Sequence, residues 1–272
     1  MSEWLIFDPL FRVPFLVGLF LAAGLSLIGA LLRMRNEWLA ALGLAQIAAA
    51  GGMIGVLFHW PALVGAFAVA GTAMLVRAAL PKVGNSHYAV MILLGWSATL
   101  LVGSFMDHGR TIGESFLLGQ LYFTYLPHLI GAIALLVVTI VVFPWLSPRL
   151  LTARFFPDFH TANRIPAWPY RVLFGLLTLM ATVVGTVSIG AFPTFALLFM
   201  PPWVAFVLVD GWMRSVALSM GLAVGGYILA FVLAMLLDLP FGPIFTALLV
   251  SFGPLRFLAG MRRSALSRFG AV

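Results

Sequence analysis

The chain has no cysteine among its 272 residues, which excludes disulfides, thiolate metal sites and cysteine nucleophiles. Charged residues make up only 8% and apolar residues 63%, against roughly 25% and 45–50% in a typical soluble domain. A soluble protein of this size needs more charge to cover its surface, whereas a protein embedded in a bilayer has an apolar exterior. The composition therefore excludes a soluble fold and predicts a polytopic helical membrane protein.

Catalytic and nucleotide-binding motifs are also absent. The sequence has no HExxH, no GxSxG and no P-loop lysine, and its acids are dispersed. A membrane enzyme of lipid metabolism would need a polar catalytic cluster, so we expect a protein that is not an enzyme and carries no cofactor. Any ATP-driven work then needs a partner ATPase subunit. The basic residues lie between apolar runs and form no patch, which argues against nucleic acid as a partner.

Nine apolar runs dominate the chain, each close to the roughly 20 residues that cross the hydrocarbon core. They cover residues 13–32, 38–58, 61–80, 88–106, 126–147, 171–190, 193–209, 215–237 and 241–260. We predict an all-α transmembrane bundle of about nine spans, forming one domain over residues 1–272. Pro193, Pro201 and Pro202 remove backbone donors from the seventh run. Eight spans plus one broken or re-entrant helix is therefore the alternative.

The basic residues predict the orientation of this bundle. With the N-terminus outside, every Lys and Arg except Arg12 and Arg110 faces the cytoplasm, as does the basic C-terminal tail. No run has a charge near its middle, which disfavours a carrier driven by buried ionisable groups. We expect a multi-pass protein of the inner (plasma) membrane. The small-xxx-small patterns at 51–55 and 221–225 indicate helix interfaces within or between such chains.

The predicted outer side collects carboxylates and imidazoles. Its residues are His59, Asp107, His108, Glu114, His128 and Asp238. An outer vestibule with these side chains would attract cations. The alternative is that short outer loops lack Lys and Arg only because of the orientation rule.

The longest predicted cytoplasmic segment covers residues 148–170 and is interrupted by prolines. A short helix is predicted after Pro157, capped by Asp158 or started by the proline itself. Phe156 and Phe159 would offer apolar contacts to a soluble partner. An ordinary interfacial loop with its aromatics among the headgroups is equally compatible with these residue types.

Four short motifs, in this order along the chain, carry a family resemblance. They are Leu117-Leu118-Gly119-Gln120, Phe156-Pro157-Asp158-Phe159, Ile189-Gly190-Ala191 and Asp238-Leu239-Pro240-Phe241-Gly242-Pro243. From about residue 13 to 258, the chain resembles the membrane-spanning permease subunit of the zinc/manganese-type (ABC-3) family of ABC importers.

The resemblance implies alternating access in a homodimer of permeases, with ATP-binding subunits on the cytoplasmic face and an extracytoplasmic substrate-binding protein. It also implies that the ATPase docks on residues 156–160. These residues are Phe156, Pro157, Asp158, Phe159 and His160. The cargo would enter through the outer vestibule and pass between the second helices of the two copies.

The second helix departs from the family pattern. The family has an Asp and, four residues later, a His, which lie on one helix face. This chain has Leu42 and Gln46 at those positions, and neither is a good zinc ligand. The cargo is then a metal chelate or a harder cation contacted by Gln46, or its path uses residues such as Met53 and the outer histidines, or it is not a metal. A non-transporting membrane scaffold is a further alternative, and the metal-binding residues stay unknown.

Overall fold

A computed structural model describes residues 9–79, 84–119, 121–156, 158–259 and 261, and these residues are helices joined by short turns. The helices are α1 Pro9–Arg35, α2 Trp38–Leu57, α3 Ala62–Ala79, α4 Asn85–Gly103, α5 Gly109–Leu118, α6 Leu126–Phe155, α7 Phe159–Ala162, α8 Trp168–Ile189, α9 Ala191–Leu208, α10 Trp212–Leu237 and α11 Phe241–Ser251. A short 3₁₀ helix covers Leu121–Phe123. The predicted all-α bundle is confirmed.

Eight of the described helices are long and apolar enough to cross a membrane: α1, α2, α4, α6, α8, α9, α10, and α11 with its continuation to Ala259. The third apolar run forms α3, a shorter apolar helix that packs along α2. The 30-residue α6 is about 45 Å long at 1.5 Å per residue, so it extends well beyond a hydrocarbon core of about 30 Å. Each of the nine predicted runs contains one of the described helices, and α5 is an additional helix between α4 and α6.

The count of eight candidate spans agrees with the alternative prediction, but the segment that falls short is α3 and not the seventh run, because α9 is one continuous helix. Pro193 lies in its first turn, where the backbone N–H would have no helical acceptor in any case. Pro202 leaves the carbonyl of Leu198 without its helical donor. At this carbonyl α1 comes close through Gly29, where a Cβ would overlap the oxygen. Packing of α1 therefore covers the interruption.

The core has two centres, α1 and α2. Helix α1 packs against α6, α9 and α10, and its inward side is fully buried at residues such as Leu21, Leu25 and Ile28. Helix α2 packs against α3, α4, α8 and α9, and it is buried almost continuously from Gly43 to Met53. An amphipathic surface helix would show one polar stripe, so a helix buried on all sides marks the interior of the bundle.

The two small-xxx-small patterns have different environments. Gly51 and Gly55 of α2 face Gly65 of α3, where a Cβ would overlap the Gly51 carbonyl oxygen and lie 2.7 Å from the Gly55 Cα. Gly221 and Gly225 of α10 have no atom within 4 Å of a built Cβ. The first pattern is thus a helix contact inside this chain, whereas the second lies on an open surface.

We predict that Gly65→Ala lowers thermal stability, because the added methyl group forces α2 and α3 apart. The expected cost is about 1–3 kcal/mol, typical of overpacking a tight interior. Gly225→Ala is the matched control, since it adds the same methyl group to the middle of a helix at an open position. Thermal unfolding of the purified variants in detergent measures both effects, and equal melting temperatures would contradict the assignment.

Candidate functional site

Helix α2 places the predicted path residues at different depths of burial. Gln46 is fully buried, and neither its amide nitrogen nor its carbonyl oxygen has a hydrogen-bond partner among the described residues. The backbone of α4 reaches α2 at this level through Gly95, where a Cβ would overlap the main chain of Gln46. Leu42, one turn earlier, is partly exposed. Position 46 of α2, where the family pattern has a histidine, therefore holds a buried carboxamide without a hydrogen-bond partner among the described residues.

Met53 lies in an apolar cluster at the far end of α2. Its side chain is fully buried, and it forms this cluster with Ala49, Phe116 and Leu117. In this arrangement the thioether fills space between α2 and α5. Whether it also contacts cargo stays a prediction.

Hydroxyl groups continue the polar lining on the neighbouring helices. Thr178, Thr182 and Thr186 are buried at four-residue intervals along α8, and the Thr186 hydroxyl donates to the Ala45 carbonyl of α2 at 3.4 Å. Ser188 and Thr194 are buried, and their hydroxyl oxygens have no partner among the described residues. The interior next to α2 therefore offers neutral oxygen atoms.

Three of the quoted motifs meet at one point, which we call the glycine junction: Gly119 after α5, Gly190 between α8 and α9, and Gly242 in α11. A Cβ on Gly119 would overlap the Ile189 carbonyl, and one on Gly242 would overlap the Leu118 carbonyl. Gly119 and Gly190 also have φ values of 92° and 89°, which favour glycine. Gln120 lies outside the described residues. The sequence motifs contain each glycine separately, but they do not reveal that the backbones of these three motifs pack against one another.

The predicted outer vestibule residues lie around the end of the bundle that contains this junction. His59, Asp107, His108, Glu114 and Asp238 are exposed, and Glu114 forms an exposed ion pair with Arg110 at 3.2 Å. His128 is buried, and its Nδ1 accepts a hydrogen bond from the Tyr125 backbone N–H at 3.3 Å. Among the described residues, no three His, Asp or Glu side chains are grouped closely enough to hold a metal ion.

Three of these residues have a local structural role. His59, His108 and Asp238 have φ values of 59°, 57° and 50°, the left-handed conformation that commonly ends or precedes a helix. The Asp238 carboxylate also interacts electrostatically with Tyr122, whose hydroxyl is buried without a hydrogen-bond partner among the described residues. Burial, with the Asp238 carboxylate as a smaller cause, raises the pKa of Tyr122 above its ordinary value. The left-handed turn conformation of His59, His108 and Asp238 therefore accounts for part of the polar character of this end.

The opposite end, which we call the basic end, gathers most of the described arginines. They are Arg33, Arg35, Arg77, Arg149, Arg154, Arg164, Arg171, Arg214 and Arg256. Glu37, at the start of α2, accepts from Arg35 of α1 at 2.7 Å and from Arg77 of α3 at 3.0 Å. Glu37 is not among the site residues predicted from the sequence. The signal for this ion network in the sequence is one acidic residue, Glu37, together with arginines at the ends of α1 and α3.

The predicted coupling segment lies exposed at the basic end. Phe156, Asp158 and Phe159 are exposed, and α7 contains only four residues. His160 is half-buried, and its ring lies 5.0 Å from that of Tyr170 at the start of α8. Pro157 lies outside the described residues. The short helix predicted after Pro157 is thus the four-residue α7, which contacts α8 through the rings of His160 and Tyr170.

The helical bundle with eight candidate spans and two unlike ends defines a polytopic membrane protein. The sequence profile of the ABC 3 transport family matches residues 8–259. The chain therefore belongs to the ABC 3 transport family and is a multi-pass plasma-membrane permease of an ABC transporter.

A solved structure has the same fold. The chain is similar to "PsaBC from Streptococcus pneumoniae in complex with Fab", with a TM-score of 0.80 and 12% sequence identity, over 92% of this chain and 91% of that chain. No curated protein matches the sequence. At this identity the likeness establishes the arrangement of helices and leaves the cargo to be argued from the residues of this chain.

Proposed function

We propose that this chain is the permease subunit of an ATP-driven importer that carries a metal ion or, more specifically, a metal chelate. In this proposal two copies form the transporter with Gln46 inside each copy, ATP-binding subunits dock at the basic end in the cytoplasm, and a substrate-binding protein delivers cargo at the opposite end. Family membership supports the transporter assignment. The single observation that carries the proposal for the path is the buried, unpaired carboxamide of Gln46.

An unpaired buried amide is costly. Removing such a group from water without a partner costs about 1–3 kcal/mol by mutational measurements in proteins. Both polar atoms of Gln46 are in this situation within the described residues. In a transporter this cost is offset during the transport cycle, because the amide gains a hydrogen-bond partner when cargo passes or when the helices move. Gln46 thereby contacts cargo through a neutral oxygen and a neutral N–H group.

The neutral lining favours a cargo that brings most of its own ligands. Leu42 offers no donor atom, and amide and hydroxyl oxygens are poor zinc ligands. Oxygen donors suit hard cations, and carboxamide N–H groups suit the oxygens of a chelator. A chelated metal, or a hard cation still partly hydrated, fits this interior better than a bare zinc ion. A cargo without metal would fit the same hydroxyl and amide groups.

Gln46→Ala is expected to reduce uptake at least about tenfold, because the amide contact to cargo is worth on the order of 1.4 kcal/mol or more. Docking of the ATPase subunit should be unchanged, since the substitution lies inside the bundle. Uptake of labelled cargo into vesicles measures the first effect, and copurification of the ATPase measures the second.

The control for Gln46→Ala is Thr139→Ala in α6. Thr139 is also fully buried, but its hydroxyl is already bonded to the Leu135 carbonyl at 2.6 Å. This variant should keep its uptake. If Gln46→Ala transports like the unmodified chain, the path lies elsewhere.

The segment 156–160, in which Phe156, Asp158 and Phe159 are exposed, is proposed as the ATPase docking site. Phe156 and Phe159 are 65% and 43% exposed, although large aromatics at a water-facing surface are costly unless a partner or headgroups cover them. Asp158 stands between them and is also exposed. An apolar contact with a central carboxylate suits an ATPase groove that contains a basic residue.

Asp158→Arg is expected to uncouple ATP hydrolysis from uptake, because it reverses the charge offered to the ATPase. The dimer should remain folded, since the side chain is exposed. Ser86→Arg is the control, because it adds an arginine at an exposed position at the same end but outside segment 156–160. The ratio of cargo transported to ATP hydrolysed in vesicles is the measurement. A normal ratio in Asp158→Arg removes the docking assignment.

A further inference from the structure

Two open cavities lie side by side at the basic end. One, of about 370 Å³, lies between the α1–α2 turn, the end of α6 and the start of α8. The other, of about 410 Å³, lies between α1, α2, α3, α4 and α8. Arg35, Glu37 and Arg171 line both cavities, so the two spaces share a charged wall.

Positive charge exceeds negative charge on these walls. Four arginines, Arg35, Arg77, Arg154 and Arg171, face one carboxylate, Glu37. Glu37 is already shared between Arg35 and Arg77. Within the described ranges, the guanidinium groups of Arg154 and Arg171 form no ion pair or side-chain hydrogen bond. Two free guanidinium groups therefore adjoin a water-accessible cavity that already contains a third.

The neighbouring contacts fix part of this positive wall. The guanidinium group of Arg35 lies over the Phe174 ring at 5.0 Å while it donates to Glu37. Arg77 lies over the Tyr88 ring at 5.2 Å in the same way. An arginine held on an aromatic face keeps its fork of N–H donors in one orientation. Arg35 and Arg77 already direct N–H donors at Glu37, so the forks available to match the oxygens of a phosphate group are those of Arg154 and Arg171.

We propose that the cavity lined by Arg35, Arg154 and Arg171 is a binding site for a phosphate-bearing anion. The anion is either free phosphate in the aqueous phase or the phosphodiester of an acidic phospholipid. Both reach this site, because it opens at the ends of membrane-spanning helices. The site is separate from Gln46 and does not depend on the identity of the cargo.

The position of the cavity gives the anion a regulatory role. Arg154 lies in the last turn of α6 and Arg171 in the first turn of α8, so the two arginines flank the proposed coupling segment. Tyr170, which also lines the cavity, contacts the ring of His160 in that segment. A bound anion connects both ends of the coupling segment to the α1–α2 turn. Its presence would therefore stiffen the surface on which the ATPase acts.

The test measures anion binding to the purified chain. The readout is the melting temperature, obtained from the intrinsic tryptophan fluorescence during thermal unfolding. In the first arm, sodium phosphate is titrated in zwitterionic detergent against sodium chloride at equal ionic strength. In the second arm, vesicles of phosphatidylcholine are compared with vesicles that also contain phosphatidylglycerol. We expect a rise in melting temperature in at least one arm, and the arm that responds identifies the source of the phosphate group.

The variant Arg154→Gln with Arg171→Gln should weaken this response about tenfold or more in half-saturating concentration, since charge-assisted hydrogen bonds are lost. Arg110→Gln, at the opposite end, is the control and should respond normally. The variant Arg154→Lys with Arg171→Lys keeps the charge and loses the fork, so it should bind with intermediate strength and provides a second folded variant.

Three results would overturn the site. They are the absence of a response in both arms, a response that sodium chloride reproduces, and an undiminished response in the double glutamine variant. Each can be read in the permease alone, so none depends on transport or on the proposed cargo.

Discussion

The cost of placing charge in hydrocarbon is the constraint on which this structure depends. An arginine or aspartate at the centre of a span costs about 2.5–3.5 kcal/mol on insertion scales, and the apolar runs of this chain have none there. Charges are thereby restricted to helix ends, where most described arginines gather at one end and Glu37 joins three helices. The same constraint leaves a neutral interior, so Gln46 must act on cargo through dipoles.

Close approach of backbones replaces charge as the means of fixing the helices. Lipid removes the hydrophobic drive for helices to associate, so packing and small residues determine the contacts. Gly65 on Gly51 and Gly55, and Gly95 on Gln46, bring α3 and α4 against α2. At the glycine junction, three motifs far apart in the sequence fix the ends of α5, α8 and α11 in one place. This explains physically why these glycines occur in short, recognisable motifs.

Hydropathy was sufficient to predict the helical bundle, because a run of about 20 apolar residues has one stable form in a bilayer. It could not predict that α9 is continuous, since that depends on where prolines fall in a turn and on Gly29 covering the Leu198 carbonyl. The junction and the Glu37 network join residues distant in sequence, which a single sequence does not reveal. For the site, the position of Gln46 was predictable, but its lack of a partner required the packed structure.

In the proposed orientation the basic end faces the cytoplasm, and labelling of single cysteines in intact cells tests this most directly. Because the chain contains no cysteine, a thiol introduced at Thr111 or at Asn163 is the only target in the protein. Both positions are exposed and lie at opposite ends. A membrane-impermeant thiol reagent should label Thr111→Cys from outside and reach Asn163→Cys only after permeabilisation. Labelling of Asn163→Cys in intact cells, with Thr111→Cys protected, would contradict the orientation and the cytoplasmic coupling surface together.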